Sequence, residues 1–309
     1  MQGKTIRIGT RGSALALAQA HEVRARLMSA HGLGEHAFSI EVIKTTGDVI
    51  LDRPLSEAGG KGLFTKEIEE ALIAGEIDLA VHSMKDMQTV LPDGLGIGAM
   101  LAREDVRDAF ISLSYATLAE IPAGRRVGTS SLRREAQVKR LRPDLEVVGF
   151  RGNVETRLQK LRDGVAEATF LACAGLKRLG LEDRITAAMP ADVMLPAVAQ
   201  GAVGIEVRID DVEAGMLIAP LNCETTALAV TAERAFLARL EGSCRTPIAG
   251  LARLEEGTVR FKGLVLSPDG SEVLDVERRG SPREAARVGT EAAEDLLRRG
   301  ADRIMVRER

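Results

Sequence analysis

Asp86 is the residue of this chain whose neighbours point most directly to chemistry. It closes the run Val81-His82-Ser83-Met84-Lys85-Asp86, which follows a short apolar stretch of strand type. A carboxylate set among cations can accept N–H hydrogen bonds and stabilise a positive charge that develops beside it. An ordinary Lys–Asp pair in a turn would give the same local sequence, and His82 reads as a hydrogen-bonded structural residue. The cations themselves are less ordinary. Helix N-termini carry partial positive charge and unpaired N–H groups, so a Lys or Arg there is unfavourable by about 0.3–1 kcal/mol. Yet Arg11 stands just before Ser13, and Lys61 and Lys66 flank the helix start after Gly59-Gly60-Lys61-Gly62. Arg133 and Arg134 follow Thr129-Ser130-Ser131, and Arg151 and Arg157 surround a further helix start.

In open α/β sheets the carboxyl ends of the strands form the ligand crevice, and cations there complete anion sites with helix N–H groups. Arg suits carboxylates because its planar fork donates two parallel hydrogen bonds. The pattern therefore implies a cleft for a multiply anionic molecule, with carboxylate and phosphate both open as its charged groups. Neither GxxxxGK[ST] nor a strand–GxGxxG–helix element is present to favour a nucleotide. Gly94, Gly96 and Gly98 read as a turn before a strand. Cys244 lies in the loop Glu241–Pro247 beside Arg245, where an accessible, activated thiol and a buried inert one are both open readings. Cys173 reads as packing at a strand end, and Cys223 receives no role.

The elements that must position these residues alternate strand and helix. Residues 5–9 form a short run rich in β-branched residues, and Ser13 caps an Ala/Leu-rich helix reaching about His31. A strand is expected over 38–43, then a helix with Ile68, Leu72 and Ile73 on one face, then a strand over 77–81. From about Asp105 the pattern repeats: strands at 109–113, 126–128, 147–150 and 169–172, helices at 130–141 and 154–162. Residues 200–220 read as a connector. A third texture begins near Asn222, with a helix over 225–240, strands at 248–252, 258–266 and 272–277 around Pro268-Asp269-Gly270, and a helix over 282–298. The fold class is α/β, with sheets covered by helices on both faces and a smaller C-terminal α+β domain.

Composition narrows the function. The 309 residues carry 42 Lys+Arg against 45 Asp+Glu, a net charge of -3, and aromatics are 3% with no Trp. That leaves neither a basic field nor stacking platforms for nucleic acid. Three scattered cysteines form no disulfide framework, and they suggest a reducing compartment. No Cys/His cluster has zinc spacing, so no metal is expected. No stretch of about 18 apolar residues is present to span a membrane, and no secretory h-region is visible. A cytoplasmic location is expected.

Taken together, the motifs resemble one family. VHSMKD at 81–86, GTSSLRR at 128–134, RGNVETRL at 151–158, LPAVAQGAVGIE at 195–206, EGSC at 241–244 and GTRGSALALAQ at 9–19 closely resemble the porphobilinogen deaminases, or hydroxymethylbilane synthases. The match runs in order along essentially the whole chain. Gln88 departs from it, where the family often has Pro, and so does the hinge sequence at Asn222-Cys223-Glu224.

The resemblance implies two periplasmic-binding-protein-like domains of doubly wound mixed sheets, at 1–101 with 200–219 and at 102–199, and a C-terminal domain at 220–309. It implies a monomer that joins four porphobilinogen molecules head to tail, losing ammonia each time, to give hydroxymethylbilane. The primer is a dipyrromethane held as a thioether, which the resemblance places on Cys244. Asp86, with Lys85, matches the catalytic position. Arg11, Ser13, Ser83, Lys85, Thr129, Ser131, Arg133, Arg134, Arg151, Arg157 and Arg178 match groups that hold the carboxylate arms of the cofactor. Arg11, Gln19, Arg151, Arg157, Arg178 and Gln200 match substrate positions, and Lys61 and Phe64 match a loop over the cleft. Two rivals are a non-catalytic periplasmic-binding-type protein for a carboxylated ligand, which leaves Cys244 without a task, and a nucleic-acid regulator, which the charge opposes.

Overall fold

A computed structural model describes residues 5–49, 62–242 and 246–305. The expected lid residue Lys61 and the expected attachment residue Cys244 lie outside the described residues. In chain order the elements begin with β1 (Ile6–Thr10), α1 (Ala14–His31), β2 (Phe38–Val42), α2 (Thr46–Val49), α3 (Lys66–Ile73), β3 (Leu79–Ser83) and β4 (Leu95–Met100). Next come β5 (Asp108–Ser112), β6 (Arg126–Gly128), α4 (Leu132–Leu141), β7 (Glu146–Val148), α5 (Val154–Arg162), β8 (Ala168–Ala172), α6 (Cys173–Arg178) and β9 (Ala187–Ala188). The chain continues through β10 (Val203–Arg208), α7 (Val212–Ile218), α8 (Glu224–Arg239), β11 (Ile248–Glu255), β12 (Thr258–Leu266), β13 (Val273–Gly280), α9 (Ala285–Arg298) and α10 (Ala301–Ile304). It forms two compact units, Met1–Glu104 with Gly201–Ala227, and Asp105–Gln200 with Leu228–Arg309.

The first unit is built on a sheet of order β2-β1-β3-β10-β4. β1 runs parallel to β2 and β3, while β10 runs antiparallel to β3 and β4. α1 forms because its Ala/Leu-rich sequence contains no Gly or Pro and has a stop at each end. Ser13 Oγ accepts from Ala16 N at 3.3 Å, and Gly32 adopts a left-handed φ of 64° that ends the helix. Its buried residues Ala20, Val23 and Leu27 pack with Ile8, Val81, Val203 and Ile205. Burying each of the larger aliphatic side chains stabilises the unit by about 1.5–3 kcal/mol.

The second unit holds a sheet of order β7-β6-β8-β5-β9, with β6 parallel to β7 and β8 and β5 antiparallel to β8 and β9. Both large sheets thus share one plan, three parallel strands followed by a reversed strand and a fifth. The reversed strand comes late in the chain for the first sheet and early for the second. The same unit carries the antiparallel meander β11-β12-β13, whose inner face packs against α8 and α9 around Phe236 and Phe261. The chain is α/β, with two doubly wound mixed sheets and a smaller C-terminal sheet-and-helix layer.

Three expectations are corrected. Residues 203–208, read as connector, are the interior strand β10, buried through Val207. Val203, Ile205 and Val207 do alternate with Gly204, Glu206 and Arg208, but a glycine inside the run and a charged residue whose partner His82 lies 124 residues away make it read as a loop. Gly96 and Gly98 lie inside β4, and only Gly94, at φ 84°, turns the chain. A Cβ on Gly98 would stand 2.6 Å from Ile218 Cδ1, so glycine there admits the close packing of Ile218 on the strand. Ile73 is 55% exposed, because five residues on from Ile68 it lies about 140° round the helix.

Candidate active site

Among the described residues, Arg11, Ser83, Lys85, Asp86, Thr129, Ser131 and Arg151 end or follow parallel strands of their own sheets. In the first unit Arg11 follows β1, and Ser83, Lys85 and Asp86 follow or end β3. The segment Met84–Asp86 is a single 3-10 turn. Met84 N donates to Ala202 O at 3.0 Å, and the turn rests on Gly204, where a Cβ would lie 2.1 Å from Met84 Sδ. Glycine at 204 therefore lets the Asp86 turn sit directly on β10. Asp86 is exposed at the end of this turn, Lys85 is half-buried, and Met84 is buried beneath them.

Gln19 Nε2, on α1, donates to Ser83 Oγ at 2.8 Å, which ties helix to turn. The Arg11 guanidinium donates from Nη2 to Asp48 Oδ1 at 2.5 Å and from Nε to Oδ2 at 3.3 Å. It also lies 4.2 Å over the Phe64 ring, a cation–π contact. Burial pushes the Asp48 carboxyl up, but hydrogen bonds from Arg11 and Thr45 outweigh that and hold it below the usual range. Behind the turn His82 Nε2 stands 3.0 Å from Glu206 Oε2, as a hydrogen-bonded structural residue should. Arg11, Ser13, Gln19, Phe64, Ser83 and Asp86 border one cavity of about 50 Å³. Six residues singled out in the sequence are thus brought together by β1, α1, β3 and the turn before α3.

In the second unit Thr129, Ser131, Arg133 and Arg134 follow β6. Ser131 Oγ caps α4 by accepting from Arg134 N at 3.4 Å, and Thr129 Oγ1 accepts from Ser131 N at 3.2 Å. Both hydroxyls keep a proton to donate. The two arginines are not displayed at the helix start as expected. They are buried, 5% and 6% exposed, and turn inward onto Asp108. Arg133 Nη1 also donates to Leu195 O at 2.8 Å and Arg134 Nη1 to Phe170 O at 2.8 Å. Gln200, expected as a cleft residue, gives its amide N–H to Val106 O at 2.8 Å and Asp108 Oδ1 at 3.0 Å. Arg157 Nε donates to Gly152 O at 2.8 Å, and Arg178 is half-buried as the last residue of α6. Cys173 begins α6, not a strand end, and is wholly buried.

Two buried guanidinium nitrogens of this unit, Arg133 Nε and Arg151 Nη1, have no hydrogen-bond partner. Buried donors are normally satisfied, so unpaired ones beside a strand end suit an anion. In the first unit Asp86, with hydroxyls and an amide around Arg11, suits a ring that offers N–H and carries carboxylate arms. In the second unit the unpaired arginine N–H groups suit carboxylates. A larger cavity of about 410 Å³, lined by Arg239, Arg278, Glu291 and Glu294, contains none of the predicted residues. Sequence reasoning missed Asp48 and Asp108. Their partners lie 37 and 25 residues away, beyond the reach of any local pattern.

Comparison with known proteins is consistent along the chain. The family described as "Porphobilinogen deaminase, dipyromethane cofactor binding domain" matches residues 6–215, and "Porphobilinogen deaminase, C-terminal domain" matches 227–298. The porphobilinogen deaminase of Paracoccus denitrificans (strain Pd 1222) is 62% identical over 94% of this chain and 93% of its own. That of Nitrobacter hamburgensis is 55% identical over 96% of this chain and 94% of its own. Among solved structures, the methionine-binding protein MetQ matches with TM-score 0.45 and 14% identity, over 70% of this chain and 89% of its own. A putative methionine-binding lipoprotein of Bacillus subtilis matches with TM-score 0.44 and 12% identity, over 71% and 90%. By its sequence along nearly its whole length, the chain belongs to the porphobilinogen deaminase family, transferases of tetrapyrrole biosynthesis that carry a dipyrromethane cofactor.

Proposed function

We propose that Asp86 is the catalytic carboxylate of this porphobilinogen-polymerising transferase. The observation that carries the reading is its place on the wall of one cavity with Arg11, Ser13, Gln19 and Ser83. Porphobilinogen presents a pyrrole N–H, an aminomethyl group and two carboxylate arms. Asp86 accepts the pyrrole N–H, and its negative charge stabilises the cation left when ammonia departs. Arg11 takes a carboxylate arm through the fork that Asp48 now occupies, while Ser13 and Gln19 supply neutral donors. Lys85 adds positive charge beside the arms. Holding the substrate by its arms leaves the reacting carbon as the part that changes charge, so binding energy is directed to the transition state.

When bound, the dipyrromethane supplies the nucleophilic pyrrole carbon on which the chain grows. Its carboxylate arms are assigned to Ser83, Thr129, Ser131, Arg133, Arg134, Arg151, Arg157 and Arg178, and its thioether to Cys244. The unpaired Arg133 Nε and Arg151 Nη1 support this assignment. Gln200 is assigned to substrate, and Lys61 and Phe64 to the loop above it. Free thiols at Cys173 and Cys223 fit a reducing, cytoplasmic setting. Among the described residues no helix is long and apolar enough to cross a membrane. The working form is proposed to be a monomer.

Intact mass tests the reading. The purified chain should exceed its sequence mass by two linked pyrroles, and Cys244→Ser and Cys244→Ala proteins should lack the excess. A bare chain mass for the wild type would instead fit a non-catalytic binder of carboxylated ligands.

A further inference from the structure

Asp108 opens β5 and is wholly buried. Its carboxylate receives five contacts from three side chains. Arg133 reaches Oδ2 from Nη1 at 2.7 Å and Oδ1 from Nη2 at 3.1 Å. Arg134 reaches Oδ1 from Nε at 3.0 Å and from Nη2 at 2.7 Å, and Gln200 Nε2 reaches Oδ1 at 3.0 Å. Backbone carbonyls of Leu195 and Phe170 hold the far sides of the two guanidinium planes. Each plane is therefore fixed from two directions.

We infer that Asp108 is a positioning residue of the anion-binding apparatus, locking Arg133 and Arg134 in one orientation and leaving their cluster singly positive. The inference rests on the assignment of these arginines to carboxylate arms. Two cations in consecutive positions of one helical turn repel each other, and burial raises the cost. Burial does push Asp108 up and Arg133 down, yet the two guanidinium charges prevail at Asp108 and hold its carboxyl far below the usual range. One acid against two bases leaves one positive charge out of water, with Arg133 Nε unpartnered. A single ligand carboxylate completes that balance, and donors already fixed in place need no reorganisation to meet it.

The test compares Asp108→Asn and Asp108→Glu with the wild type by intact mass, circular dichroism and porphobilinogen kinetics. Asp108→Asn keeps the shape and removes the charge. The expected result is a folded chain that has lost its cofactor mass, or a loaded chain whose KM rises about tenfold with kcat within about twofold. A merely structural acid would lower the melting temperature and leave KM of the folded, loaded chain unchanged, and that result overturns the inference. If Asp108→Asn does not fold, Asp108→Glu carries the test. It keeps the charge and shifts both guanidiniums, so KM should rise several-fold, and a wild-type KM overturns the inference. A wild-type chain without the cofactor mass would instead sink the assignment beneath it.

Discussion

His82 and Glu206 are diagonal neighbours on adjacent antiparallel strands, with Nε2 and Oε2 3.0 Å apart and both side chains out of water. His82 itself lines the cavity that Asp86 borders, so the pair braces the end of β3 from which the Asp86 turn springs. Removing one member of a buried, hydrogen-bonded pair leaves the other without a partner, at about 1–3 kcal/mol, whereas removing both costs less than the sum. Glu206→Leu should therefore lower unfolding free energy strongly, and His82→Leu/Glu206→Leu should recover much of the loss. Denaturant melts measure both, and strict additivity of the two single losses would refute the coupling.

Asp86→Asn separates chemistry from binding. The side chain is exposed at the end of its turn, so the amide should leave the fold and the cofactor mass intact. Turnover should fall by about 10²–10³-fold, the usual loss when one electrostatic stabiliser is removed. Steady-state kinetics with mass spectrometry decide the matter, and near-normal turnover would remove Asp86 from its role.

Asp108 predicts the acid limb of stability. Its carboxyl is depressed in the folded state, so the stability it gives is complete above the unfolded value, about pH 4, and is lost as pH falls below that. At pH 7 Asp108→Asn should be the less stable protein. Between about pH 4 and pH 2 its stability should fall less steeply than that of the wild type. Urea melts across that range check it, and parallel pH dependence in both proteins would contradict it.

What the sequence disclosed, and what it hid, follows the range of the interactions. Ser13 was legible as a cap because a cap acts within three residues of itself, while Ser131, read as helical, proves to be the cap of α4. Thr258–Leu266 and Val154–Arg162 were placed to the residue, because their ends carry turn or cap residues. β10 was hidden although Val203, Ile205 and Val207 alternate with Gly204, Glu206 and Arg208, because its glycine has meaning only against Met84 and its buried glutamate only against His82. The cluster of cations at strand ends was legible as a group. Its internal counter-ions were not: Asp48 and Asp108 find their arginines only through the fold, and that changes Arg133 and Arg134 from displayed charges into a locked pair.

The cysteines give a prediction that joins structure to the proposed cofactor. Burial, with Asp105 and Asp108 nearby, pushes the Cys173 thiol up to about 11, and its side chain is wholly buried. For half-buried Cys223, burial acts upward but hydrogen bonds from Thr225 and Thr226 prevail and bring it below its ordinary value. Since the thiolate is the reactive form, iodoacetamide at about pH 8 should modify native protein at Cys223 and spare Cys173 until the chain unfolds. The sequence contains three cysteines, so a chain whose Cys244 is held as a thioether should take up only two carbamidomethyl groups after denaturation. Peptide mass mapping reads both results. Early labelling of Cys173 would contradict its burial, and three groups on the denatured wild type would show that no sulfur was engaged.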